Sequence, residues 1–169
     1  FDHYGICLIN ARGESSISKI ASLIRRFHVP VVSLYDHDVM GEHKKSAGVF
    51  YTDYICYEMD VVKACLSRNG RRLLDAVIAD ITEGGNLVSS ALVKKAGAKL
   101  AIPKGYYPPR KLSNINPRDE KALEFYYFAW LYGNKGVIIG RSLADHLGKD
   151  FIPPAFSKVI LAAVGASER

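Results

Sequence analysis

The apolar positions of the chain alternate between two rhythms. Residues 5–10 (GICLIN) form a short continuous apolar run, of the kind found in a strand covered on both faces. From Ile17 the spacing turns helical, with Ile17, Ile20, Leu23, Ile24 and Phe27 on one face and Ser15 or Ser16 available to cap the first turn. Residues 29–35 (VPVVSLY) are a second apolar run. The pattern therefore predicts a strand, a helix and a parallel strand closing one right-handed βαβ unit. Functional groups of such a unit gather at the carboxyl ends of its strands, which singles out the loops at 11–16 and 36–46.

Further along, residues 48–51 predict a short strand, and helical periods return over 59–66, 73–81 and 87–96. Another strand is expected near 99–102. Residues 103–116 are rich in proline and include Tyr106 and Tyr107, a loop composition. Helices follow from Asn116, as cap, to Gly133, then over 135–147 and 153–164. The fold class expected is α/β: a Rossmann-like parallel-sheet core over 1–102, a connecting loop at 103–116, and a helical part of the same domain over 117–169.

With 169 residues, about half of them hydrophobic, the chain is long enough to bury the core of one domain. Cys7, Cys56 and Cys65 lack CxxC pairing and sit among apolar neighbours, which predicts three buried thiols in a reducing cytoplasm, with neither disulfide nor zinc. No apolar run approaches the roughly 20 residues that span a bilayer. The first residue is Phe1, so further residues are expected upstream. A net charge of +6 and a pI near 9.2 favour an anionic partner, nucleic acid above all.

The chemistry concentrates in LYDHDVMGE, residues 34–42. An apolar strand delivers Asp36 and Asp38 into a loop, where two carboxylates flanking one residue can turn toward a single hard cation, Mg²⁺ or Mn²⁺. The bland reading is an ordinary turn-forming pair of aspartates. Beside it, the first predicted strand ends in ARGESS, which contributes Glu14. Carboxylates converging from neighbouring strand ends repel, and a bound cation is the simplest way to neutralise them.

A strand ending in a Gly-Glu turn, a helix, and a strand ending in DxDxxGE resemble the Toprim module of topoisomerases, primases and several nucleases. Asp36, Asp38 and Gly41 match its second motif position by position. Its first motif has acids where this chain has Arg12 and Ser16, leaving Glu14 to take the ligand's place. The order of the later pieces resembles the Toprim domain of OLD (overcoming lysogenization defect) nucleases: Glu58 within ICYEMDVV, Lys135-Gly136 opening a helix, and Ile152-Pro153 before the last one.

That resemblance implies a Toprim core and a metal-dependent DNA endonuclease or nickase, with phage defence as its setting. Glu14, Asp36, Asp38 and Glu58 would be the metal ligands, Glu14 and Lys135 the catalytic groups, and Arg12, Lys44, Lys45 and Lys104 the DNA contacts. It also implies an ATPase domain upstream or on a partner chain, since these residues hold no GxxxxGK[ST] phosphate loop, and assembly as a homodimer. The alternative is a degenerate Toprim module that binds DNA or a partner without cleaving, for which Arg12 is the best support.

Overall fold

The computed structural model describes residues 2–42, 46–82, 87–103, 109–134 and 137–167. Within them the protein is mixed α/β and mostly helical, with seven α-helices and one two-stranded parallel sheet. The chain divides into two compact units, Phe1–Tyr57 with Pro153–Arg169, and Glu58–Ile152.

The first unit holds α1 (Glu14–Arg25), β1 (Ser33–Tyr35), β2 (Val49–Tyr51) and α7 (Pro154–Ser167). Its strands pair in register, Ser33 with Val49, Leu34 with Phe50 and Tyr35 with Tyr51. Gly48 sets the start of that pairing: it adopts φ +80°, its carbonyl accepts from Ser33 N at 2.8 Å, and a Cβ there would lie 3.0 Å from Val31 O. A left-handed φ and so close a backbone suit only glycine. Helix α1 packs on β1 and α7 on β2, and the ring of Phe156 in α7 meets that of Tyr57 edge to face at 4.9 Å.

Residues 5–10, expected as the first strand, form none; after a single 3₁₀ turn at Asp2–Tyr4 they run irregularly, with Leu8 84% and Ile9 51% exposed. An apolar run becomes a strand only where an edge accepts its hydrogen bonds, and the edge that pairs with β1 is β2. The parallel pair is therefore joined through residues 36–48, not through α1, which corrects the expected βαβ unit. Cys7, in the irregular stretch, is exposed rather than buried, whereas Cys56 and Cys65 are buried as expected. Neither Ser15 nor Ser16 caps α1: Gly13 holds the cap position, with no side-chain cap hydrogen bond.

The second unit is helical. It contains all of α2 (Tyr57–Ser67) except its first residue, then α3 (Arg71–Ile81), α4 (Ser90–Lys99), α5 (Glu120–Gly133) and α6 (Val137–His146). Its centre is α5, which buries aromatic residues on several sides: Phe125, Tyr126, Tyr127 and Phe128 are each at most 4% exposed. Tyr127 OH donates to Asp75 Oδ1 at 2.7 Å and accepts from Arg71 Nε at 3.1 Å, tying α5 to α3. Burial, with the Asp75 carboxylate adding to it, pushes the Tyr127 phenol far above its ordinary range.

The strand expected near 99–102 is absent, because α4 runs through Lys99 and the chain then turns, with Ala101 at φ 50°. Helix α5 begins at Glu120, later than a cap at Asn116 would start it. Asp119 caps it, accepting from Ala122 N at 3.1 Å, while Asn116 caps only the preceding turn through Arg118 N at 3.0 Å. No helix among the described residues is long and apolar enough to cross a membrane.

Candidate functional site at the carboxyl end of the parallel pair

Tyr35 and Tyr51 end the two strands side by side, with ring centroids 5.8 Å apart. The next residues, Asp36 and Thr52, lead into a loop that the sequence singled out and one that it did not. Asp36 is extended, φ −66° and ψ 147°, and opens a 3₁₀ turn at His37–Val39. Its Oδ1 accepts from Tyr57 N at 3.2 Å. Val39 is buried and anchors the turn, while Asp38 is exposed.

Thr52, 2% exposed, fastens this turn to β2. Its hydroxyl accepts from His37 N at 2.9 Å and donates to Tyr54 O at 2.7 Å, so both hydrogen-bonding functions of the hydroxyl are used. His37 Nδ1 lies 2.9 Å from Thr52 O; the carbonyl can only accept, so Nδ1 carries the proton. The Thr52 N–H in turn donates to Tyr35 O at 3.0 Å. His37 thus positions the loop, a role its place between two aspartates does not suggest.

Local sequence patterns miss Thr52 and the Tyr57 amide, because these groups act across 15 and 21 residues of chain. The available signal is the register itself. Residues 34–36 read LYD and 50–52 read FYT, so pairing Tyr35 with Tyr51 sets Thr52 opposite Asp36.

Glu14 is exposed at the first residue of α1, where the helix dipole favours an acid. Arg12 is exposed just before it in the left-handed region, φ 57°, with its N–H donating to Asn10 Oδ1 at 2.9 Å. Glu58 is buried, 6% exposed, in the first turn of α2 in the second unit. Lys44, Lys45, Lys104 and Lys135, expected as DNA contacts and a catalytic group, lie outside the described residues.

Among the described residues no group of three or more His, Cys, Asp or Glu side chains is gathered to hold a metal ion. Asp36 and Asp38, carried by one turn, are the acids this arrangement keeps together. Two carboxylates fit Mg²⁺, which commonly takes one or two and completes its shell with water and substrate phosphate; they do not amount to a dedicated cage. No family, no curated protein and no solved structure matches this chain.

Proposed function

We propose that the chain is a Toprim-type module resembling that of the OLD nucleases, acting on DNA phosphodiesters at the carboxyl end of β1 and β2. The observation that supports it is the Asp36–Asp38 turn, held to β2 by Thr52 and to the start of α2 by the Tyr57 amide. Asp36 and Asp38 would hold Mg²⁺ or Mn²⁺, which when bound polarises a phosphate and acidifies a water. The protein's own contribution is positional. Thr52 and His37 hold the turn at the sheet end, and Arg12 offers a guanidinium suited to bidentate phosphate contact. An ATPase, upstream or on a partner chain, and a second copy of the module belong to the same reading.

A second reading, DNA binding without cleavage, is favoured by one specific observation: among the described residues the expected ligands are not gathered into a group. Supercoiled plasmid with Mg²⁺ or Mn²⁺ separates the two. Nicked or linear product from the native protein, lost in an Asp36→Asn variant whose Tm is unchanged, supports cleavage; the side-chain amide oxygen of that variant can still accept from Tyr57 N. Intact plasmid that shifts on a gel supports binding alone. Intact plasmid with no shift contradicts both.

A further inference from the structure

In a parallel ladder a strand bonds to one neighbour through alternate residues. Ser33 N donates to Gly48 O at 2.8 Å and Tyr35 O accepts from Thr52 N at 3.0 Å, so β1 faces β2 through Ser33 and Tyr35. Leu34, between them, therefore directs its N–H and C=O to the opposite edge, where the described residues supply no strand. Proteins commonly blunt an edge of this kind with charged side chains or proline. Residues 31–35 (VVSLY) contain neither.

The same unit holds a segment in the complementary condition. Residues 6–10 (ICLIN) are uncharged and lie outside any helix or strand, and no backbone hydrogen bond joins residues 6–9 to another described residue. Leu8 is 84% and Ile9 51% exposed. Neighbouring residues of an extended chain point to opposite faces, so the segment offers apolar side chains on both. That is the composition of a strand inside a sheet.

We propose that residues 6–10 of one copy add as a strand to the Leu34 edge of a second copy, and reciprocally, so that two chains close a twofold dimer. Each chain contains one such segment and one such edge, both with peptide groups to pair and neither with a charge to repel the other. A strand from a different protein would cover the edge and leave the segment exposed; a second copy covers both. Reciprocal exchange also ends at two chains instead of propagating. The contact does not depend on the nuclease reading, because it is measured without DNA or metal, and either can fail while the other stands.

The test is sedimentation of the full chain over a concentration series, in reductant so that exposed Cys7 does not cross-link copies. The native mass is expected to rise from 18.7 kDa toward twice that value. Leu8→Pro/Ile9→Pro removes one strand N–H in either register and alters only exposed, irregular chain. It is expected to remain at 18.7 kDa throughout, with the Tm of the dilute native protein. Hydrogen exchange gives the second readout: the Leu34 amide should be protected at high concentration and lose that protection on dilution or in the double variant. A native mass of 18.7 kDa at every concentration would overturn the proposal, as would a dimer that survives the double variant. Leu34 protection that does not change with concentration would also overturn it, by placing the segment on the edge of its own chain.

Discussion

The two units spend their apolar residues differently. In the second, α5 buries four consecutive aromatic positions on several sides and ties the Tyr127 phenol to Arg71 and Asp75 of α3. In the first, Leu8, Ile9, Leu23, Phe27 and Val29 are each at least half exposed, and regular sheet is limited to three residues per strand. The stable scaffold and the candidate chemistry therefore lie in different parts of the chain. A site on a short, loop-rich sheet must be held by specific polar clamps, because packing alone does not fix it.

Four perturbations and one reference substitution sharpen that contrast. The largest effect is expected from Phe128→Ala, which opens a cavity in the fully buried face of α5 and should lower unfolding free energy by about 3–5 kcal/mol. Leu8→Ala, at an 84% exposed apolar residue, should stay within about 0.5 kcal/mol. Equal losses in the two, measured by urea unfolding, would erase the difference between the units.

Gly48→Ala comes next, at about 2 kcal/mol, because it forces a side chain into the left-handed region at φ +80° and against Val31 O. Hydrogen exchange should report the loss at the Ser33 amide, whose hydrogen bond Gly48 O accepts. Thr52→Val keeps the shape but removes the hydroxyl that serves His37 N and Tyr54 O, for about 1–2 kcal/mol. If the clamp matters to the site, any DNA cleavage or metal binding should fall further than stability does; a change in stability alone would reduce Thr52 to a packing residue.

With Leu8→Ala set apart as the reference, the smallest effect lies between α3 and α6. Asp80 Oδ2 accepts from Ser142 Oγ at 2.6 Å and lies 2.9 Å from His146 Nε2. The hydrogen bond from Ser142, then that with His146, holds the Asp80 carboxyl below its ordinary value of 3.8. A depressed folded-state value means this tie contributes fully above the unfolded value and is lost as pH falls through the folded one. Native protein and Asp80→Asn should therefore differ in Tm at neutral pH and converge below the ordinary aspartate range. A constant gap down to acid pH would assign the tie to shape rather than charge.

The helices were largely legible in sequence, because an apolar stripe at helical spacing is a local signal. The aromatic run of α5, in particular, shows on its face that it is buried on several sides. Strands were less so. Residues 5–10 carry the pattern of a covered strand, yet strand formation depends on a partner edge that no local pattern encodes, and β1 keeps only the end of its predicted span. Asp36 and Asp38 were visible as a motif at a strand end. The groups that hold the turn, Thr52 and the Tyr57 amide, become visible only once the register of β1 with β2 is known.

The central claim is that Asp36 and Asp38 share a divalent cation at the carboxyl end of the parallel pair. A crystal soaked in Mn²⁺ tests it directly through anomalous scattering. The account predicts a peak at carboxylate–metal distance, roughly 2.2 Å, from both aspartates. A map with no peak at this turn under millimolar Mn²⁺, or a peak confined to other acids, would contradict it.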